Sequence, residues 1–114
     1  MVPFHKILAP TDFSEPAVNG IEAAKLLAKR DGAECILIHV VAPVRMIPPS
    51  GPPAHSGLEM STVMQELEEG AQSTLEETTA KLEEAGVQAR SMVVRGIPAE
   101  EIAAAAEEEK ADVI

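Results

Sequence analysis

Short apolar runs alternate along the chain with longer segments in which apolar residues recur every three or four positions. The runs cover residues 6–10, 34–41 and 87–95, and a fourth opens at Asp112 and continues to Ile114. Short, nearly continuous apolar runs are typical of strands that are covered on both faces of a parallel sheet. The pattern therefore predicts four strands, of which the third begins with alternating apolar and polar residues and ends in Met92, Val93 and Val94.

The periodic segments between these runs predict three helices. The first begins after Ser14, whose hydroxyl can cap a first helical turn, and ends at Gly32, which can adopt the left-handed conformation that stops a helix. The second covers residues 58–85, and the third begins at Pro98 and reaches about Lys110. The core-facing stripe of the second helix contains Met60, Met64, Leu67, Ala71, Leu75, Thr78, Leu82 and Ala85.

The alternation of strands and helices predicts an α/β fold with an open parallel sheet and helices on both faces. The length of 114 residues fits one such domain. Ligands of open parallel sheets bind beyond the carboxyl ends of the strands. The candidate binding residues that follow the first three strands are Pro10, Thr11 and Asp12, then residues 40–43, then Arg95 and Gly96.

Asp12, Val40 and His39 are the candidates with the most distinct chemistry. The Asp12 carboxylate can accept a hydrogen bond from a ligand hydroxyl or amine, or it can cap the first helix, and the sequence favours neither role. Val40 offers backbone groups of the kind that read an adenine edge, although a place in the core is the commoner role of such a residue. His39 is expected to be a hydrogen-bonded core histidine rather than a ligand or a base.

The composition argues against two classes of partner. The formal net charge of −10 repels nucleic-acid phosphates and anionic lipids, and the chain has two phenylalanines but no tryptophan or tyrosine for base stacking. The apolar run near the amino terminus is too short for a membrane span or a signal peptide, so we expect a cytoplasmic protein. The single cysteine, Cys35, is expected to be a buried apolar residue.

Residues 42–57 differ in texture from the rest of the chain, because they are rich in proline and glycine. This composition predicts neither helix nor strand, and we interpret the segment as a mobile loop within the single domain of residues 1–114. The segment is either a lid over a ligand or a tolerated surface insertion, and insertions of this kind are the more common.

Known catalytic motifs are lacking in this sequence. It has neither the P-loop nor the dinucleotide-binding glycine pattern, and it has no nucleophile elbow or paired-cysteine motif. The three histidines do not have the spacing of metal ligands. We therefore expect no catalytic residues and no metal site.

Four segments, at residues 6–15, 39–40, 94–102 and 111–114, together resemble the universal stress protein family in order and spacing. The resemblance implies a Rossmann-like, adenine-nucleotide α-hydrolase-like sheet with strand order 3-2-1-4-5. It also implies ATP binding, because Pro-Thr-Asp-Phe-Ser-Glu at residues 10–15 resembles the nucleotide-binding branch. The nucleotide contacts of that branch fall on Pro10, Asp12 and Val40, with Thr11 between them.

The phosphate-binding segment of the family is a glycine-rich stretch after the fourth strand, and residues 1–114 do not contain it. The resemblance implies that the last strand and helix, through which the family forms homodimers, also lie outside this sequence. We expect ATP, with or without magnesium, to bind weakly or not at all to this chain alone, because the phosphates would lack their backbone N–H donors.

Three functions follow from these observations. The leading hypothesis is a stress-response module that binds an adenine nucleotide as a sensor or regulator, without catalysis. The alternative is a family member that binds no nucleotide and acts through dimerisation or the acidic face of its second helix, formed by Glu66, Glu69, Glu76, Glu77, Glu83 and Glu84. The third, an enzyme of a related adenine-nucleotide fold, is disfavoured because the first strand–helix turn has no glycine to cradle phosphates.

Overall fold

The computed structural model describes residues 3–42 and 57–114. The elements in this part of the chain are β1 (Lys6–Pro10), α1 (Glu15–Asp31), β2 (Glu34–Val41), α2 (Gly57–Glu84), β3 (Ala89–Arg95) and α3 (Pro98–Glu109). The predicted order of strands and helices is confirmed, and the bounds of β1 and β2 agree residue by residue. The mobile loop predicted at residues 42–57 lies, apart from its two end residues, outside the described residues.

The three strands form one parallel sheet in the order β1-β2-β3. The central strand β2 pairs through residues 34–38 with β1 and through residues 35–41 with β3. On the other side of β1, Ile7 forms an isolated parallel bridge with Val113, and the Leu8 N–H donates to the Val113 carbonyl at 3.0 Å. This bridge agrees with a fourth strand that opens beside β1, while the complete order 3-2-1-4-5 stays a prediction.

Helices cover both faces of the sheet, as nearly continuous apolar strands require. On one face α1 and α2 pack against β2, and Leu37 and Leu75 have no exposed surface there. On the other face α3 packs against the sheet around Leu8. Because side chains alternate along a strand, His39 belongs to the face of α1 and α2, whereas Val40 belongs to the face of α3.

Local sequence accounts for where α1 begins and ends. Ser14 is the N-cap, and its hydroxyl oxygen accepts a hydrogen bond from the Ala17 N–H at 3.4 Å. Gly32 has a φ of 68° and donates its N–H to the Ala28 carbonyl, which closes the last turn. Residues 11–14 are therefore all that separates the carboxyl end of β1 from α1.

The third strand begins at Ala89, whereas the apolar pattern predicted a start at Val87. Val87 is buried, but its N–H donates to the Leu82 carbonyl at 2.9 Å and so closes the end of α2. A buried turn residue and a strand residue are both apolar, and for this reason the pattern placed the boundary too early.

Candidate functional site

The connection between β1 and α1 forms one side of the candidate site. Pro10 ends β1, and Thr11, which follows it, is only 7% exposed. The Thr11 hydroxyl oxygen accepts a hydrogen bond from the Phe13 N–H at 3.0 Å. The hydroxyl of Thr11 is therefore engaged inside the connection.

Asp12 is exposed, and its carboxylate closes a tight turn. Its Oδ1 accepts hydrogen bonds from the Ser14 hydroxyl and, at 3.0 Å, from the Ser14 N–H. These two bonds lower the pKa of Asp12, and the charge of His39 lowers it further. Its Oδ2 accepts no hydrogen bond from another residue in the ranges 3–42 and 61–114. One oxygen thus caps the turn while the other can accept a hydrogen bond from a ligand.

His39 connects the end of β2 to this turn. Its Nδ1 lies 2.7 Å from the Thr11 carbonyl oxygen, and a carbonyl can only accept, so Nδ1 carries the proton of this hydrogen bond. The imidazole stacks on the Phe13 ring, with centroids 4.5 Å apart and an interplanar angle of 30°. The expectation of a hydrogen-bonded histidine is confirmed, although the residue is half-buried rather than fully in the core.

Pairing between β1 and β2 stops beside Val40. The last registered pair is Pro10 with Ile38, and the Thr11 N–H donates to the Ile38 carbonyl at 2.9 Å. In a parallel ladder of the same register, the next two bonds would run from the Val40 N–H to the Thr11 carbonyl and from the Phe13 N–H to the Val40 carbonyl. Neither bond is present in the structure.

The two groups that would pair with Val40 have side-chain partners instead. The Thr11 carbonyl bonds to His39 Nδ1, and the Phe13 N–H donates to the Thr11 hydroxyl oxygen. Within residues 3–42 and 57–114 the N–H and the carbonyl of Val40 consequently have no backbone partner. A hydrogen-bond donor and an acceptor are therefore left beside each other at the carboxyl end of the central strand.

A cavity of about 480 Å³ lies at the carboxyl end of β2. Phe13 and residues 39–42 line one side, and the other side is formed by α2 through Glu66, Leu67, Gly70 and Thr74. Of the four predicted nucleotide-binding residues, Val40 lines this cavity, whereas Pro10, Thr11 and Asp12 are not part of its lining. The predicted residues therefore lie at the carboxyl ends of β1 and β2, and the cavity reaches them at Val40.

Sequence reasoning did not select Phe13 or the residues of α2 that line the cavity. The helical period assigned Leu67 to the core-facing stripe, yet Leu67 is 47% exposed and borders the cavity. Among the members whose side chains the structure describes, the buried ones are Met64, Ala71, Leu75 and Leu82. A signal for Phe13 was available, because it is one of only two aromatic residues and it directly follows the candidate Asp12.

Three further observations limit the chemistry of the described residues. Among residues 3–42 and 57–114, no group of three or more histidine, cysteine, aspartate or glutamate side chains could hold a metal ion. In the same ranges no helix has the length and apolar character needed to cross a membrane. Cys35 is buried as predicted, and burial raises the pKa of its thiol to about 11, so the thiol stays protonated.

The sequence profile of the universal stress protein family matches residues 3–114. The chain belongs to the universal stress protein family. The resemblance seen in its four motif segments is thereby confirmed, together with the open parallel α/β fold that it implied.

Two proteins of Methanocaldococcus jannaschii are similar to this universal stress protein. Universal stress protein MJ0531 is 34% identical over 111 residues, which make up 97% of this chain and 62% of MJ0531. Universal stress protein MJ0577 is 33% identical over an alignment of 122 positions, which covers 99% of this chain and 75% of MJ0577. The solved structure of MJ0577 has a TM-score of 0.81, over 98% of this chain and 73% of that one.

The chain spans less than two thirds of the length of MJ0531. Another solved structure, a universal stress protein in complex with cAMP, is 18% identical, with a TM-score of 0.64 over 98% of this chain and 72% of that chain. At this identity the likeness establishes the shared fold, and the ligand is a property of that other protein.

Proposed function

We propose that this chain carries the adenosine-binding part of an adenine-nucleotide site, at the carboxyl edge of β1 and β2. The observation that carries the proposal is the pair of backbone groups on Val40 that have no backbone partner among the described residues. Asp12, with its open Oδ2, follows β1, the strand that neighbours β2. A backbone N–H beside a carbonyl matches the acceptor and donor that an adenine presents along one edge. An exposed carboxylate oxygen can accept hydrogen bonds from ribose hydroxyls.

The residues of this edge fit adenosine better than they fit phosphate. Asp12 is an ionised acceptor at neutral pH, because its bonds with Ser14 lower its pKa, and an anion next to it would be repelled. In the connection of residues 11–14, three backbone N–H groups already donate elsewhere, and these are the groups of Thr11, Phe13 and Ser14, so they are not available to a phosphate. The proposal for ATP, with or without magnesium, therefore assigns its phosphates to the glycine-rich segment that residues 1–114 do not contain.

The role that we propose is sensing rather than catalysis. A ligand that binds the folded chain stabilises it by RT ln(1 + [L]/Kd), so that the stability of the chain rises with nucleotide concentration. A cytoplasmic location and a homodimer of the kind that the family forms through its last strand and helix are parts of the same proposal. They rest on the family resemblance.

Calorimetric titration of adenosine into the wild-type chain and into Asp12→Ala tests this function. We expect Asp12→Ala to lower the affinity by about tenfold, the effect of losing one hydrogen bond to a charged group. Glu15→Ala is the matched control, because Glu15 is an exposed carboxylate three residues further along, and it should bind as the wild type does. Asp12→Asn keeps an oxygen that can accept from Ser14 and so separates loss of the turn from loss of the charge.

Two results would count against the nucleotide proposal. Unchanged affinity in Asp12→Ala together with a large loss of stability would make Asp12 a turn cap and nothing more. Absence of any adenosine binding would favour the alternative function, an interaction module that acts through dimerisation or through the acidic face of α2.

A further inference from the structure

We propose that Thr11 and His39 are positioning residues that stop the β1–β2 ladder one pair early and thereby keep the backbone of Val40 available to a ligand. The inference rests on the proposed adenosine function for its purpose, but its structural part concerns the ladder alone. Neither side chain has to touch the ligand. Both act through the two backbone groups that would otherwise pair with Val40.

The backbone groups of β2 point alternately toward β3 and toward β1. The Ile38 carbonyl accepts from Thr11 on the side of β1, and the Val41 carbonyl accepts from the Gly96 N–H at 3.2 Å on the side of β3. Because the groups of successive residues alternate between the two sides of a strand, those of Val40 point toward β1, as those of Ile38 do. Val40 lies beside Val94 in the register with β3, but its backbone groups point the other way and form no hydrogen bond with that strand.

The hydrogen-bonded ladder between β1 and β2 does not continue beyond Ile38. The chain of β1 does not leave the sheet abruptly, since Thr11 still donates to Ile38 at 2.9 Å. The Thr11 carbonyl and the Phe13 N–H, which are the next groups along the chain, are each bonded to a side chain. The ladder thus ends where these two side-chain hydrogen bonds replace two backbone hydrogen bonds.

Phe13 has an unusual backbone conformation at the end of the ladder. Its φ of 66° lies in the left-handed region, which is unfavourable for a residue with a Cβ atom. The stacking of Phe13 on His39 and the bond from its N–H to the Thr11 hydroxyl hold it in this conformation. Such a locally strained residue persists where its surroundings over-determine it, and such residues cluster at functional sites. The contacts that hold Phe13 in its left-handed conformation therefore also end the ladder between β1 and β2 at this point.

Two pairs of variants separate the hydrogen bonds from the bulk of the side chains. Thr11→Val removes the hydroxyl at almost constant shape, and Thr11→Ser restores it. His39→Phe keeps a ring that can stack on Phe13 and removes the N–H donor, and His39→Asn restores a donor without the ring. Circular dichroism and the dispersion of amide resonances verify that each variant is folded.

The first readout is hydrogen exchange of the Val40 amide in the absence of nucleotide. In His39→Phe the freed Thr11 carbonyl can accept from Val40, so exchange at Val40 should slow by about tenfold, the effect expected for one backbone hydrogen bond. In Thr11→Val the freed Phe13 N–H can donate to the Val40 carbonyl. The Phe13 amide should then stay protected from exchange, whereas an amide left without a partner would exchange faster. Thr11→Ser and His39→Asn should exchange as the wild type does.

The second readout is the affinity for adenosine, which should fall by about tenfold in Thr11→Val and in His39→Phe and return to within about threefold of wild type in the two restoring variants. Wild-type exchange at Val40 in His39→Phe would overturn the inference. Slower exchange with unchanged adenosine affinity would leave the ladder mechanism standing and would refute the proposed function instead. The two failures are therefore distinguishable.

Discussion

The imidazole Nδ1 of His39 lies 2.7 Å from the carbonyl oxygen of Thr11, at the point where backbone pairing between β1 and β2 stops. The two residues are 28 positions apart in the sequence, and the sheet brings them together. The imidazole of His39, in β2, thus forms a hydrogen bond with the main-chain carbonyl of the residue that follows β1. This contact connects the register of the sheet to the groups that the carboxyl edge offers to a ligand.

The left-handed conformation of Phe13 predicts an order of stability among its variants. Phe13→Asn and Phe13→Val both lose the ring that stacks on His39, so their difference isolates the backbone. Asparagine tolerates a positive φ and a β-branched residue does not, and we expect Phe13→Val to be less stable by about 1 kcal/mol. Urea unfolding followed by circular dichroism measures this difference. Equal stability of the two variants would mean that the positive φ carries no cost.

Gly96 predicts a second backbone effect, at the carboxyl end of β3. Its φ is 148°, and a Cβ added there would lie 2.6 Å from Glu101 Oε1. Gly96→Ala should therefore lose about 1–3 kcal/mol of stability. In the control Gly20→Ala, which lies within α1 with nothing within 4 Å of the added Cβ, the chain should gain about 0.5–1 kcal/mol. Thermal unfolding of both variants measures the effects, and a stable Gly96→Ala would contradict the account.

Asp31 predicts a dependence of stability on pH. The Arg30 guanidinium and, after it, the Phe4 N–H lower the pKa of Asp31 from 3.8 to about 2. A carboxyl whose pKa is lowered by folding stabilises the chain while it is ionised, so this contribution is present above the ordinary value of 3.8 and is lost as the pH falls toward about 2. Asp31→Asn should be less stable than the wild type at neutral pH, and the difference should shrink in acid.

Urea midpoints of the wild type and Asp31→Asn at about pH 6 and about pH 2.5 measure this linkage. Asp112 also has a lowered pKa, because it accepts from the Lys6 and His5 N–H groups, so both proteins should lose stability in acid. The steeper loss belongs to the wild type. A constant difference between the two proteins at both pH values would show that the ionisation of Asp31 does not contribute.

The fold could be predicted from the sequence to the extent that local rules determine it. Uninterrupted apolar runs predicted β1 and β2 to the residue, and Ser14 and Gly32 marked the ends of α1. The start of β3 was placed too early because Val87 is buried as a turn residue rather than as a strand residue. Boundaries fail where burial alone does not distinguish the two.

The candidate site could be predicted in its position but not in its internal contacts. The carboxyl-end rule for parallel sheets selected the connection after β1 and the end of β2, where the backbone groups of Val40 lack a backbone partner in the part of the chain that the structure describes. The positive φ of Phe13 and the bond between His39 and Thr11 were beyond the reach of the sequence. They depend on a contact between two strands, and no local pattern encodes such a contact.

A titration of the isotope-labelled chain with adenosine, followed by amide chemical shifts, tests the central claim most directly, because it detects weak binding and locates it. We predict saturable shifts at the carboxyl ends of β1 and β2, at the amides of Thr11, Asp12, Phe13, Val40 and Val41. The amides at the opposite ends of the strands, such as Glu34 and Ala89, should stay unchanged. Absence of any shift, or shifts confined to that opposite end, would contradict the claim that this edge binds adenosine.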